Sequence, residues 1–244
     1  MNATHAQSYA RTYARWQADP HGFWAQVAQG LDWVEPPKAI FDPDSGPYGR
    51  WFPDAACNTC FNALDRHVRD GRGDQTALIH DSPVTGTKAS WTYAQLLDEV
   101  STLAAVLADL GVGKGDRVIV YMPMVPEAAF AMLACARIGA VHSVVFGGFA
   151  AKELATRIDD AKPKVIMTAT CGIEPTRVVE YKPLLDAAID LANNKPETCI
   201  VLQRPQADCS MHVTRDRNWR TLIATARANG RKAECVPVAA TEPR

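Results

Sequence analysis

Apolar residues recur at helical spacing in two stretches of the first half of the chain. In the first, Phe61, Leu64 and Val68 predict a helix, and the GRGD stretch at residues 71–74 ends it. The second stretch predicts a longer amphipathic helix that stops at Gly111, because glycine favours the turn that follows a helix. The apolar positions of this second helix are Leu96, Leu97, Val100, Leu103, Ala104, Leu107 and Leu110.

The segment before these helices has a different amino-acid composition. Residues 9–53 are rich in Trp, Asp, Pro and Gly, with a short helix predicted at residues 21–31. The pattern is typical of an extended arm with one or two helices. Its aromatic side chains need a surface to cover, so we expect the arm to dock onto a larger body. These are Trp16, Phe23, Trp24, Trp33, Trp51 and Phe52.

Short strand-like runs dominate the rest of the chain. Residues 76–80 and 89–93 flank a turn sequence and predict a hairpin. After Gly115, near-continuous apolar strands alternate with helices, a pattern that predicts a parallel sheet covered on both faces and therefore an α/β fold. The predicted strands are 117–122, 141–146, 164–169 and 198–203, and the predicted helices are 126–139, 150–161, 184–192 and 218–228. Residues 233–244 are interpreted as a linker.

Composition and charge restrict the function classes. With 244 residues, 47% of them hydrophobic and 22% charged, the chain has enough apolar material for a sizeable core. The formal net charge is -1 and no basic stripe is visible, so we predict no nucleic-acid partner. The longest apolar stretches are shorter than the ~20 residues that a membrane helix requires, which predicts no membrane partner.

Cysteine usage and the N-terminus bear on the compartment. Seven cysteines without regular spacing predict reduced thiols in a cytosol-like compartment, so we expect a cytoplasmic protein. Cys57 and Cys60 form a single CxxC pair, which we interpret as packing thiols rather than a metal or redox site. The N-terminus lacks the pattern of a secretory signal, although Arg11 and Arg15 leave organellar targeting open.

One local feature indicates a ligand. Phe146, Gly147 and Gly148 follow a buried strand and precede a helix, which is where parallel α/β sheets bind ligands. Glycine lets backbone approach a ligand, and the following helix offers unpaired N–H groups to a phosphate. A glycine pair at a strand end is also typical of a tight turn without a ligand.

Other signs of chemistry are sparse. The sequence contains none of the common phosphate-loop, dinucleotide, zinc-protease or nucleophile-elbow motifs. His67 and His142 lie beside apolar runs and are interpreted as structural. We therefore assign no catalytic residue and no metal ligand to this chain.

Several blocks in fixed order carry a resemblance to a known family. DPHGFW at 19–24, LDW at 31–33, RWF at 50–52 and NTCFNALDRHV at 58–68 resemble the N-terminal arm of acetyl-CoA and propionyl-CoA synthetases. WTYAQLLDEV at 91–100, KGDRVIVYMPMVPE at 114–127 and RIGAVHSVVFGGF at 137–149 are similar to the first blocks of the adenylate-forming superfamily in its short-chain branch. TCGIEPTRVVEYKPLLDAAID at 170–190 looks like the propionate type rather than the acetate type.

The resemblance implies an activity for a longer parent protein. In this family, ATP and a carboxylate give an acyl-adenylate and pyrophosphate, and the CoA thiol then displaces AMP. The family's phosphate loop, acyl pocket, magnesium contacts and catalytic lysine would lie further along than residue 244. The resemblance therefore implies an N-terminal fragment of a propionate-CoA ligase, with residues 1–68 as the arm and 69–244 as the first part of an incomplete AMP-binding domain. We expect this fragment alone to be inactive.

The resemblance also implies part of a CoA site. Phe146, Gly147 and Gly148 match the family turn beside the CoA nucleotide, and Arg177 matches a basic residue that contacts CoA phosphate. Glu174 departs from the pattern, because the acetate type has another arginine there. ATP and magnesium are expected in the parent only, with sites outside this chain.

Other functions stay open at this point. The parent could act on acetate or another short acid, or the chain could be a non-catalytic nucleotide- or CoA-binding module. A third alternative is a scaffold in which the two glycines merely turn the chain. An incomplete parallel sheet exposes unpaired backbone, so we predict self-association through its open edge.

Overall fold

The computed structural model describes residues 3–242, with side chains from residue 8 onward, and these residues form two compact units. The first contains the residues up to Asn58 together with Pro237–Glu242, and the second contains Thr59–Val236. The boundary predicted at residue 68 stays a prediction.

The first unit begins with two helices, α1 (Ala3–Ala18) and α2 (Pro20–Ala28). Asp19 starts α2, because its carboxylate accepts a hydrogen bond from the Gly22 amide at 2.9 Å and Pro20 suits the first helical position. Short strands follow: β1 (Trp33–Glu35), β2 (Phe41–Asp42), β3 (Arg50–Trp51) and β4 (Ala56–Cys57).

Residues near the C-terminus complete this unit. Val238–Ala239, the last strand (β14), pairs antiparallel with β4, which also pairs with β1. The interpretation of residues 233–244 as a linker was therefore wrong for this strand, because a two-residue strand carries no detectable alternation; residues 243–244 lie outside the described residues. Within the unit the aromatic side chains cover one another, with the Trp51 ring 4.8 Å from Phe41 and 6.1 Å from Trp24.

The second unit opens with helical turns and a hairpin. Two segments with π-helical hydrogen bonding, Phe61–Asp65 and Val68–Arg72, lie where the first helix was predicted, and the second leaves helical geometry at Asp70 and Gly71. The hairpin strands are β5 (Thr76–Ser82) and β6 (Thr87–Thr92), and helix α3 (Tyr93–Asp109) follows directly. A reciprocal cap between Thr92 and Gln95 starts α3, and Gly111 at φ 82° turns the chain after it.

A five-stranded parallel sheet forms the centre of the second unit, which confirms the predicted α/β fold. Its strand order is β13-β12-β9-β7-β8. The strands are β7 (Arg117–Tyr121), β8 (Val141–Val144), β9 (Val165–Ala169), β12 (Thr198–Leu202) and β13 (Asp216–Asn218). The helices are α4 (Pro126–Arg137), α5 (Ala151–Ala161), α6 (Tyr181–Leu191) and α7 (Trp219–Ala228).

Several details differ from the sequence prediction, among them the strand β13, which was not predicted. The strand β8 ends at Val144 rather than residue 146, and α6 begins at Tyr181 rather than residue 184. An antiparallel hairpin of β10 (Cys171–Glu174) and β11 (Arg177–Glu180) precedes α6 and was not predicted. It was missed because its strands have only four residues each, β10 contains Gly and Glu, and β11 is mostly exposed, so neither has the continuous apolar pattern of the buried strands.

Successive side chains of each strand point to opposite faces of the sheet, so the apolar core has one part on each face. Val118 and Val120 of β7 belong to the core beneath α3, α4 and α7, whereas Ile119 and Tyr121 belong to the core beneath α5 and α6. Between residues 3 and 242, no helix has both the length and the apolar character needed to cross a bilayer.

Candidate functional site

The carboxyl ends of the parallel strands define one edge of the sheet, and the predicted glycine turn lies on it. Phe146, Gly147 and Gly148 lie one residue after β8 and precede α5. Gly148 has φ 93°, a conformation that residues with a side chain rarely adopt. The Phe146 side chain is 74% exposed. This turn therefore presents backbone and one aromatic ring to solvent.

At Gly147 the requirement for glycine is not the backbone angle, because there the Tyr181 side chain packs directly against the backbone. A Cβ atom on Gly147 would lie 2.0 Å from the Tyr181 hydroxyl oxygen. A Cβ on Gly172, in β10, would lie 2.6 Å from the same ring. The Tyr181 ring therefore fits between the glycine turn and the β10–β11 hairpin because neither Gly147 nor Gly172 has a side chain.

Tyr121 supports the Tyr181 ring from the sheet. The two rings stack with centroids 5.0 Å apart, and the Tyr121 hydroxyl donates to the Phe149 carbonyl oxygen at 3.4 Å. Burial raises the pKa of Tyr121 to about 12, so it stays a neutral donor. A strand, the glycine turn and the hairpin are therefore fixed to one another through two tyrosines.

The predicted basic residue, Arg177, lies on the hairpin and already has an anionic partner. Its Nε atom is 2.8 Å from Oε2 of Glu174, the residue directly opposite it in the β10–β11 register. The Glu174–Arg177 hydrogen bond lowers the pKa of Glu174 and raises that of Arg177. Both side chains are exposed, at 48% and 68%, so water and salt weaken the pair.

A second arginine at this edge was missed by sequence reasoning. Arg204 follows β12, and its Nη1 donates to the Cys171 carbonyl oxygen at 3.0 Å. Its amide donates to Thr170 Oγ1 at 3.0 Å, which fixes it beside the hairpin. Burial and the Glu174 charge raise the pKa of Tyr181, while Arg204 opposes that shift. The edge therefore combines an anion and two cations around one tyrosine.

A buried charge network holds the start of α6, and with it Tyr181. Lys182 Nζ lies 2.6 Å from Asp186 and 2.8 Å from Asp216, and Arg215 Nε lies 2.7 Å from Asp216. Burial opposes ionisation of Asp216, but hydrogen bonds from Arg215 and Lys182 outweigh it and lower its pKa. Sequence reasoning missed this network, because Lys182 and Asp186 have only the common i,i+4 spacing of a helical ion pair and their partners Arg215 and Asp216 come from a distant segment.

The histidines singled out in the sequence do not join this edge. His67 contacts Arg72, with Nδ1 and Nη1 3.0 Å apart, and its ring packs 4.7 Å from Tyr93. His142 is half-buried within β8, and burial lowers its pKa. The structural role of both residues stays a prediction.

The residues of this edge can support binding, but no described group is arranged as a catalytic acid, base or nucleophile. Exposed backbone, an exposed aromatic ring and two guanidinium groups are suited to an anionic ligand with a planar part. Glu174 would oppose such a ligand by charge.

Two family models match the chain. The model described as AMP-binding enzyme matches residues 64–240, and the model described as acetyl-coenzyme A synthetase N-terminus matches residues 9–63. Together they cover nearly all of the described residues.

Individual relatives agree with these models. Human acyl-CoA synthetase short-chain family member 3, mitochondrial, is 43% identical over 100% of this chain and 35% of its own length. An acetyl-coenzyme A synthetase of Streptomyces coelicolor is 44% identical over 97% of the chain. A propionate–CoA ligase of Salmonella typhimurium is 44% identical over 88% of the chain and 34% of its own length. The chain spans about a third of the length of the curated relatives it matches.

Proposed function

Because the chain belongs to the family of AMP-binding enzymes and matches the acetyl-coenzyme A synthetase N-terminus, we propose that it is the N-terminal part of a short-chain acyl-CoA synthetase that acts on propionate. The reaction converts ATP, propionate and CoA to propionyl-CoA, AMP and pyrophosphate. The observation that carries the proposal is the match of both family models in order along the chain, supported by relatives that are named for this chemistry.

The role proposed for the edge of the sheet is to bind part of CoA. Phe146, Gly147 and Gly148 would lie beside the nucleotide, where exposed backbone allows close approach. Arg177 would contact a phosphate, which its exposed guanidinium permits. The fit is partial, since a phosphate must compete with Glu174 for that guanidinium. ATP and magnesium would be held by residues of the longer protein.

We further propose that the 244 residues alone form no acyl-adenylate. The resemblance assigns the ATP phosphate loop and the catalytic lysine to positions beyond residue 244, and the described edge contains no substitute for them. Incubation of the purified chain with ATP, magnesium and propionate should release no pyrophosphate above the buffer control. Pyrophosphate formation would contradict this proposal.

Acetate is a second candidate substrate, favoured by a specific observation. The acetyl-coenzyme A synthetase and the propionate–CoA ligase among the relatives are equally identical to this chain, at 44%. Residues 170–190 favour propionate. AMP release by the longer protein, measured with each acid in turn, should give the higher kcat/KM with propionate. A higher kcat/KM with acetate would make acetate the substrate. No AMP release with either acid would contradict the proposal.

Location and assembly complete the proposal. A reducing, cytoplasmic location is supported by seven free cysteines, although five mammalian relatives are named as mitochondrial. Self-association would involve the sheet edge at β8, which within residues 3–242 pairs with β7 only and has Val144 54% exposed. Sedimentation of the 244-residue chain should show oligomers, and a compact monomer at all concentrations would contradict this.

A further inference from the structure

A cluster of two thiols, a carboxylate and a guanidinium lies in the second unit, away from the edge described above. The Sγ atoms of Cys60 and Cys235 and a carboxylate oxygen of Asp65 all lie within 4.8 Å of one another. Cys60 precedes the first π-helical segment, and Cys235 lies in the segment that follows α7. Residues 175 positions apart in the sequence are thus neighbours through the fold.

Arg137 supplies the positive charge of this cluster. Its Nη1 and Nη2 donate to the two Asp65 oxygens at 2.7 and 3.0 Å, and Nη1 also lies 3.7 Å from Cys60 Sγ. Its Nε donates to the Ala233 carbonyl oxygen at 2.6 Å. With a side chain only 4% exposed, Arg137 is held in place on all sides. A metal ion would have to displace this guanidinium from Asp65, so the cluster is poorly suited to one.

The two thiols differ in ways that matter for oxidation. Cys60 is fully buried, whereas Cys235 is partly exposed. The neighbouring Cys235 thiol and the charge of Arg137 lower the pKa of Cys60 against the opposing effect of burial, whereas the pKa of Cys235, whose Sγ donates to Asp65 Oδ2 at 3.7 Å, is raised by its contact with Cys60 and by burial. By contrast, burial raises the pKa of Cys135 and Cys199 to about 12. Of these four thiols, Cys60 is therefore the one whose thiolate, the reactive form, is favoured.

We propose that Cys60 and Cys235 form a reversible disulfide under peroxide stress. The cluster supports this because the sulfurs are already neighbours, a guanidinium favours the thiolate, and the exposed side of Cys235 gives small oxidants access. The bond would tie the helical segment after Cys60 to the segment that follows α7.

The chemistry uses hydrogen peroxide as the oxidant. The Cys60 thiolate attacks one peroxide oxygen, the O–O bond breaks and hydroxide leaves, which gives Cys60 sulfenic acid. The Cys235 sulfur then attacks the Cys60 sulfur, the S–S bond forms and the sulfenic oxygen leaves as water. The thiol proton of Cys235 leaves with that oxygen, and the proton that Cys60 lost on forming its thiolate neutralises the hydroxide of the first step. In total the two thiols lose two electrons and two protons, and one peroxide becomes two waters.

Peptide mapping of the 244-residue chain tests the proposal. The folded protein is treated with peroxide, alkylated and digested with trypsin, which places Cys60 on residues 51–66 and Cys235 on residues 233–244. We expect a linked pair of these peptides, formed about tenfold faster than oxidation of the other cysteines. A thiol reductant should remove the link.

Three serine variants assign the link. Cys57 shares the first peptide, so Cys57→Ser is the matched control and should keep the link, whereas Cys60→Ser and Cys235→Ser should lose it. Cys235→Ser is the safer variant for folding because its site is partly exposed. A link that survives in Cys235→Ser, or accumulation of Cys60 sulfinic acid without any link in the wild type, would overturn the proposal.

A second measurement separates a disulfide from a metal site. Oxidation of the wild type should raise Tm by about 5 °C, because the bond closes a long loop, and a thiol reductant should reverse the rise. Zinc chloride alone should neither bind tightly nor slow the oxidation. Stoichiometric zinc that is lost in Cys235→Ser and that blocks the link would assign the cluster to a metal instead.

Discussion

Two arginine–carboxylate pairs in the second unit have nearly the same geometry and different surroundings. Arg137 and Asp65 lie 2.7 Å apart with side chains 4% and 18% exposed. Arg177 and Glu174 lie 2.8 Å apart with side chains 68% and 48% exposed. Burial rather than distance separates their roles, because a shielded pair has no solvent to replace a lost partner, whereas an exposed pair exchanges partners readily. The first is suited to stability and the second to ligand exchange.

The largest expected effect is loss of the buried pair. Arg137→Met leaves the Asp65 carboxylate without its bidentate donor and should lower the free energy of unfolding by about 3–5 kcal/mol. Urea unfolding followed by circular dichroism measures the loss. The matched control, Arg177→Met, should unfold close to the wild type. Similar losses of unfolding free energy in both variants would show that burial does not distinguish the two pairs.

The Lys182 network extends the comparison to a second buried site and adds pH dependence. Asp216→Asn removes the charge between Lys182 and Arg215 and should cost about 3 kcal/mol at pH 7. Because the folded pKa of Asp216 is lowered, its stabilisation is complete above the unfolded pKa, near 3.8, and is lost as pH falls through the folded pKa. The difference in free energy of unfolding between the wild type and Asp216→Asn should therefore shrink as the pH falls below about 3.8.

The control for this pH series is Asp160→Asn, since Asp160 is an exposed carboxylate on the same unit. Its unfolding curve should follow the wild type at every pH. A gap for Asp216→Asn that stays constant down to pH 2 would show that the carboxylate is not the ionised partner of Lys182.

A smaller effect is expected where the tyrosine meets the glycine turn. Gly147→Ala should destabilise the second unit by about 1–3 kcal/mol, because its Cβ would overlap the Tyr181 ring. Adding Tyr181→Ala should remove most of that cost, which a double-mutant cycle measures. Gly148→Ala is the control. Nothing lies within 4 Å of its Cβ, so the cost arises from φ 93° and should not respond to Tyr181→Ala.

The smallest effect is expected at the exposed pair, and it concerns binding. Glu174→Gln frees Arg177 from its anion and should tighten CoA binding by about threefold at low salt, with less change at high salt. Calorimetric titration of the longer protein measures it, with Glu180→Gln on the same hairpin as the control. This prediction depends on the proposed CoA site. An unchanged CoA affinity in Glu174→Gln would show that the CoA phosphate does not contact Arg177.

Local pattern was sufficient for most of the elements. The helix α3 was predicted to its end because seven apolar positions share one face and Gly111 follows them. The strands β7, β9 and β12 were predicted because buried parallel strands are almost entirely apolar. Strands too short or too exposed to show a period, such as β13 and β14, were missed.

The candidate site was predicted only in part. The glycine turn has a local signature, and the resemblance added Arg177. Tyr181 had no such signature, since its role depends on the missing side chains of Gly147 and Gly172 around its ring. Glu174 was noted as a departure, but its pairing with Arg177 follows from the hairpin register.

The sequence by itself determined the α/β class, the order of the elements and the position of the glycine turn, because each depends on residues near one another in the chain. The tertiary structure decided which charges and thiols meet. Cys60 and Asp65 lie in one segment, but Arg137 and Cys235 come from two others far along the chain, and no local rule distinguishes the buried Arg137 from the exposed Arg177. The physical reason is that burial and partner choice are properties of packing, which long-range contacts set.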